Sequence, residues 1–134
     1  MKAPTGSRDA ALDEATARSV VARLEKEHGV SRPDGERRLA ELVKFLDLAH
    51  EMGAAGDERR LVPSVHVDEA WHALILHTRQ YMEFCDRRYG EFLHHEVTPP
   101  DAEVGPGDVF EYLLTRALMR KRYGELDAHL WPRP

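Results

Sequence analysis

The chain has 134 residues, of which 42% are apolar and 32% charged, with a formal net charge of -5. This length favours a single domain with a buried core. The negative charge excludes a nucleic-acid binder that relies on an overall positive field. No apolar run reaches the ~20 residues that a membrane span needs, so we expect no membrane partner. A lone cysteine cannot form an internal disulfide, which favours a reducing, cytoplasmic location.

Apolar residues at helical spacing predict two helices in the first half of the chain. The first covers residues 9–28 and ends at Gly29, a natural left-handed terminator. The second begins near Pro33, with Ser31 as its cap, and stops at Gly53. The stretch that follows is rich in small and charged residues and predicts an exposed connection.

Two further helices are predicted in the second half. The third runs over residues 65–89 and ends at Gly90. Residues 91–107 form a long connection that carries several prolines. The last helix runs over residues 108–124, and residues 125–134 form a tail that we expect to dock on the helices.

These elements predict an all-α fold, a small four-helix bundle with a long loop between helices 3 and 4 and a docked C-terminal tail. Residues 1–134 make one domain in which residues 1–8 are expected to be flexible. On a helical wheel, the third helix has a broad apolar face formed by Trp71, Leu74, Thr78, Met82 and Cys85. The last helix has one formed by Phe110, Leu113, Leu114, Ala117 and Leu118.

Chemistry is concentrated in the third helix and the loop after it, which hold five of the eight histidines and the only cysteine. Asp68 and His72 are four residues apart, so the carboxylate can orient the imidazole for metal binding or proton transfer. The structural alternative is a carboxylate at a helix terminus beside a half-buried packing histidine. On this wheel Trp71 is buried and His72 lies on the opposite face.

Cys85, His94 and His95 form a second candidate group, since a thiolate and two imidazoles are ligands for zinc, iron or copper. The alternative for Cys85 is a small buried hydrophobe. If the third helix is straight, His72 lies about 27 Å from its end, so a single site with His94 requires the loop to fold back fully. One strained site and two separate sites both remain open.

The central part of the chain reads Val67-Asp68-Glu69-Ala70-Trp71-His72, followed by Tyr81, Phe84-Cys85, Gly90 and His94-His95. These residues resemble the bacterial glycine-rich-domain-containing-protein-like family of small helical proteins, common in actinobacteria. Plant glycine-rich-domain proteins have a second histidine where this chain has Leu74. The resemblance covers nearly the whole chain and implies no established reaction.

Two functions follow from these residues. The first is a helical metal-binding domain, compatible with a small metal-dependent enzyme, in which His72 and Asp68 are the catalytic candidates. Its candidate metal ligands are His72, Cys85, His94 and His95. The second is a metal-free accessory module, in which Trp71, Tyr81 and the histidine pair shape a groove for a peptide or protein partner. The sequence leaves open the metal, the small molecule or peptide that is bound, and the oligomeric state.

Overall fold

A computed structural model describes residues 6–96, 99 and 101–134. Within these residues the chain is entirely helical, with five helices and no strand. The helices are α1 (Glu14–His28), α2 (Arg32–Ala54), α3 (Val65–Ile75), α4 (Thr78–Tyr89) and α5 (Pro106–Tyr123). None of the described helices is both long enough and apolar enough to cross a membrane.

The first two helices end and begin at capping residues. Asp13 caps α1 by accepting a hydrogen bond from the Thr16 amide, so α1 starts later than the predicted residue 9. Gly29 ends α1 with a φ of 65°, the left-handed conformation that glycine adopts without strain. Ser31 caps α2 in the same way as Asp13 caps α1.

The predicted third helix is two helices, which corrects the four-helix bundle to five helices. His77 causes the break: its Nδ1 lies 3.1 Å from the Ala73 carbonyl oxygen, which a continuous helix would use for the His77 amide. The His77 amide instead donates to Leu74, in a tighter turn. Because a carbonyl only accepts, Nδ1 is the donor, and Nε2 accepts from the Ser19 hydroxyl at 2.8 Å.

The break also changes which side chains of α4 face the core. Tyr81, Phe84 and Cys85 are buried, whereas Thr78 is exposed and Met82 is 58% exposed. A single wheel over residues 65–89 therefore placed Trp71, Leu74 and Cys85 correctly on a buried face, but was wrong for Thr78 and Met82. The wheel failed because the helical phase is lost at the break.

Helix α5 and the C-terminal tail pack on α2. The predicted apolar face of the last helix is wrong for Phe110, which is 66% exposed, and for Leu113 and Ala117, which are also exposed. Leu118 packs against the core as predicted, and the fully buried side chains of α5 are Thr115 and Met119. The tail docks as predicted. Trp131 is fully buried, and its indole N–H donates to Glu41 of α2.

The centre of the core lies between α1, α2 and α3, which pack against one another. Helix α4 packs against α3 and is also joined to α2 by the bonds from Arg88 and Tyr89 to Asp47. The chain before α1 is fixed to α4, because the Ser7 amide donates to the Arg87 carbonyl at 2.8 Å. Of the segment predicted to be flexible, residues 1–5 lie outside the described residues. This arrangement exposes one side of the start of α3, where the candidate site lies.

Candidate functional site

The start of α3 positions two of the predicted site residues. The Ser64 hydroxyl accepts a hydrogen bond from the Val67 amide and caps the helix, which leaves the neighbouring Asp68 carboxylate free for other contacts. Val67 and Trp71 on the inner face are buried and fix the rotation of the helix. His72 lies one turn after Asp68 and its side chain is 52% exposed.

Asp68, His72 and His95, called the triad below, form one compact group of side chains. Asp68 Oδ1 lies 2.7 Å from His95 Nε2, and Asp68 Oδ2 lies 3.7 Å from His72 Nε2. One ligand atom from each of the three residues lies within 4.8 Å of the others. Among the described residues, no other group of three or more histidine, cysteine and acidic side chains has a geometry suited to a metal ion.

His95 is the buried member of the triad. Its ring stacks on the Trp71 indole, with 4.0 Å between centroids and 3° between the planes. Its side chain is only 9% exposed, and Nε2 makes no hydrogen bond to any described residue. The 2.7 Å contact with Asp68 brings the atoms together, but outside the direction in which a ring N–H can donate. A buried polar atom in this condition is costly unless something else binds it.

A hydrogen-bonded chain under the triad holds the segment that carries His95. The Trp71 indole N–H donates to the Tyr81 hydroxyl at 3.0 Å, and that hydroxyl donates to the Leu93 carbonyl. Burial, followed by the effect of neighbouring Cys85, raises the pKa of Tyr81, so it stays a neutral donor at physiological pH. The bond fixes the backbone two residues before His95, which explains how the loop folds back onto α3.

The triad lies on the wall of a groove with a volume of about 910 Å³, called the triad groove below. Side chains from α2, from the segment before α3 and from α3 itself give it an apolar lining: Phe45, Ala49, Met52, Leu61, Val62 and Trp71. Its rim is polar and carries both charges, with Arg59 hydrogen-bonded through two nitrogens to Asp57. The groove therefore combines an apolar surface with one cluster of metal-ligating atoms.

The other two predicted ligands, Cys85 and His94, lie outside the triad. Cys85 is fully buried in α4, and burial raises the pKa of its thiol above the ordinary value. His94 is exposed, lines the triad groove and packs edge-on against Phe92 at 4.6 Å. Of the residues predicted from the sequence, the structure thus brings together Asp68, His72 and His95. Tyr81, predicted to shape a groove, is buried beneath it.

The sequence profile of the UCP032817-like family matches residues 8–104, which is more than half of the chain. The chain belongs to the UCP032817-like family. All three residues of the triad lie inside the region that this family shares, whereas α5 and the docked tail lie beyond it. Comparison with curated proteins and with solved structures gives no match.

A second group of histidines lies on the other side of α3, around a buried arginine. Arg38 bonds Asp34 at 3.2 Å and Glu69 at 2.8 Å, which ties α2 to α3. His28 lies 3.5 Å from Glu69, and His66 stacks on a histidine of the tail. Burial and the charge of Arg38 lower the pKa of His66. These contacts connect helices to one another and to the tail.

Sequence reasoning missed that the end of the connection before α3, Leu61 and Val62, forms one wall of the triad groove. The connection before α3 was predicted to be exposed up to residue 61, but Leu61 is partly buried against the core. The Val62 amide donates to the Thr115 hydroxyl at 2.8 Å, which anchors the connection to α5. The sequence signal was the apolar pair Leu61-Val62 directly before Pro63.

Proposed function

We propose that the chain is a metal-binding domain in which the triad binds one ion of zinc, iron or copper. The observation that carries this proposal is the buried His95 Nε2, which has no hydrogen bond among the described residues and faces a carboxylate and a second imidazole. A metal ion between the three side chains would give this atom the partner that it lacks.

The distances within the triad support this proposal. Two ligands bound tetrahedrally at about 2.1 Å from zinc lie about 3.4 Å from each other. The distance of 2.7 Å from Asp68 Oδ1 to His95 Nε2 and that of 3.7 Å from Asp68 Oδ2 to His72 Nε2 lie on either side of that value, and one ligand atom from each residue lies within 4.8 Å of the others. Small rotations of Asp68 and His72 would therefore bring all three donors to a common ion. His72 is half-exposed and free to make such a rotation.

The donor set indicates what an ion could do there. Two imidazoles and one carboxylate suit zinc and iron(II), and the absence of a sulfur ligand disfavours copper(I). Three protein ligands leave coordination positions open, as in catalytic rather than structural sites. Those positions would face the triad groove, so an exchangeable water or a ligand could occupy them. Such an ion would supply Lewis-acid or redox chemistry, which makes a small metal-dependent enzyme the natural extension of the proposal.

The proposal is tested by metal analysis of protein purified without a histidine tag. We expect about one equivalent of a first-row transition metal, or uptake of added zinc with a rise in melting temperature. His72→Ala should abolish binding while the fold is kept, because that side chain is half-exposed. His94→Ala is the matched control, because that side chain is exposed and lies outside the triad, and it should bind metal like the parent. A parent protein that takes up none of the three metals would overturn the proposal.

The metal-free alternative makes a different prediction for the same variants. In this alternative, His72 serves only as an acid–base group oriented by Asp68, or as part of a peptide-binding surface. Added zinc would then leave the melting temperature of the parent protein unchanged, and it would also leave that of the His72→Ala protein unchanged. The narrower resemblance to glycine-rich-domain-containing proteins does not help to separate the two functions, because it implies no established reaction.

A further inference from the structure

The triad groove is built for a molecule that is mostly apolar. Its volume of about 910 Å³ lies within the range of small-molecule sites in proteins. Phe45 and Trp71 lie at its base but are almost fully buried. Its accessible apolar surface includes the partly exposed side chains of Met52, Leu61 and Val62. Such a lining binds hydrocarbon without orienting it, and the triad on the same wall places a group of polar atoms directly beside it.

The charge of a metal-loaded triad favours a bound molecule with an anionic head group. This step rests on the proposed function. One carboxylate and two neutral imidazoles around a divalent ion leave a net charge of +1, which an anionic oxygen ligand would neutralise. Arg59 at the rim does not compete for that anion, because Asp57 already occupies its guanidinium through two hydrogen bonds. Arg60 also lines the groove, but it is half-exposed and lies 3.9 Å from Glu111, and the rim carboxylates of Glu58 and Glu96 are exposed to solvent. A metal ion in the triad would therefore be the main anion-attracting group beside the apolar lining.

We infer that the triad groove binds a small carboxylic acid with a hydrocarbon chain, the carboxylate on the metal and the chain on the apolar lining. The two parts contribute separately. The metal supplies the polar attachment, and each buried methylene adds about 0.8 kcal/mol, so that two of them strengthen binding by at least tenfold.

The test uses protein loaded with cobalt(II), whose visible absorption reports both its binding to the triad and any ligand added to it. Octanoate and acetate are titrated separately, and the concentration that gives half of the spectral change is compared. We expect octanoate to act at a concentration at least tenfold lower than acetate. Equal concentrations for the two acids would overturn the inference.

Two variants locate the hydrocarbon chain. Ala49→Phe and Val62→Phe each fill part of the apolar lining at a partly exposed position, away from the triad. We expect both to bind cobalt and acetate like the parent but to lose most of the octanoate preference. A preference that survives in both folded variants would overturn the inference. Failure of cobalt to bind at all would instead contradict the proposed function, and the inference with it, so the two failures are distinguishable.

Discussion

The imidazole of His95 lies parallel to the indole of Trp71, with 4.0 Å between the ring centroids. Trp71 is 7% exposed and packs edge-on against Phe45 of α2, so the platform under His95 is part of the core. The position of a candidate ligand is therefore set by the same side chain that joins α3 to α2. Stability and site geometry are coupled through this one residue.

Truncation of this platform should be costly. We expect Trp71→Ala to lower the free energy of unfolding by roughly 3–5 kcal/mol, because it leaves a cavity between α2 and α3 and removes a buried stack. Urea denaturation in the presence of a chelator measures this cost without any contribution from metal. A loss below about 1 kcal/mol would mean that the indole is not packed as the structure has it.

Tyr81 should act as a positioning residue for His95. Tyr81→Phe removes the hydrogen bond to the Leu93 carbonyl, and we expect metal affinity to fall about tenfold, in line with the loss of other groups that orient ligands. Stability should fall by about 1–2 kcal/mol. Tyr112→Phe is the matched control, because its hydroxyl also donates to a backbone carbonyl, that of Pro132, but in the tail. If both variants bind metal like the parent, Tyr81 has no positioning role.

Asp68 should matter for metal and little for the fold. We expect Asp68→Asn to weaken metal affinity by at least 10–100-fold, since it replaces a carboxylate ligand by a neutral amide. The helix cap is unaffected because Ser64 provides it. Melting temperature and metal occupancy are measured on the same sample.

Glu69→Gln provides the control for this change, because it removes the same charge one residue further on. Glu69 points away from the triad, about 100° around α3 from Asp68, and bonds Arg38, so its loss should lower stability and leave metal binding unchanged. If the Asp68→Asn protein has the same metal occupancy as the parent, Asp68 is not a metal ligand and its role is structural.

The pair formed by Asp47 and Arg88 predicts how stability changes with pH. Burial alone would raise the pKa of Asp47, but hydrogen bonds from Arg88 and Tyr89 outweigh it and hold the pKa below the ordinary 3.8. A lowered folded-state pKa means that the stabilisation is complete above about pH 4 and disappears as the pH falls through that pKa.

We therefore expect Asp47→Asn to lose about 3 kcal/mol at neutral pH, with the gap to the parent constant down to pH 5 and closing below pH 4. Urea unfolding at pH 7, 5 and 3 measures the gap. Asp57→Asn is the control: Arg59 also lowers the pKa of that carboxyl, but the pair lies at the surface, with Arg59 half-exposed, and should contribute little. A gap that stays constant at pH 3 would contradict the assignment.

Much of the fold could be predicted because helix ends carry local signals. Ser31, Gly29 and Gly90 mark the ends of helices where the sequence predicts them. The break at His77 could not be predicted, since histidine is an ordinary helix residue and the competing bond to Ala73 is stabilised by Ser19, far away in the sequence. The face of α5 was only partly predicted, because the tail and the connection before α3 contact this helix in addition to α2, and a helical wheel does not show those contacts.

The candidate site was predictable in its residue types but not in its grouping. The spacing of Asp68 and His72 places them on one side of a helix whatever else happens. Whether His95 lies close to Asp68 and His72 depends on the path of the loop after α4. The hydrogen bond from the Tyr81 hydroxyl to the Leu93 carbonyl fixes that path. A straight helix over residues 65–89 made a shared site look strained, whereas the break removes that constraint.

The most direct test of the metal-binding triad is a crystal structure of the zinc-loaded protein with anomalous diffraction recorded at the zinc absorption edge. The account predicts one strong anomalous peak about 2.0–2.2 Å from Asp68, His72 Nε2 and His95 Nε2, with open positions towards the triad groove. A peak coordinated by other side chains, or no peak in crystals grown with excess zinc, would contradict it.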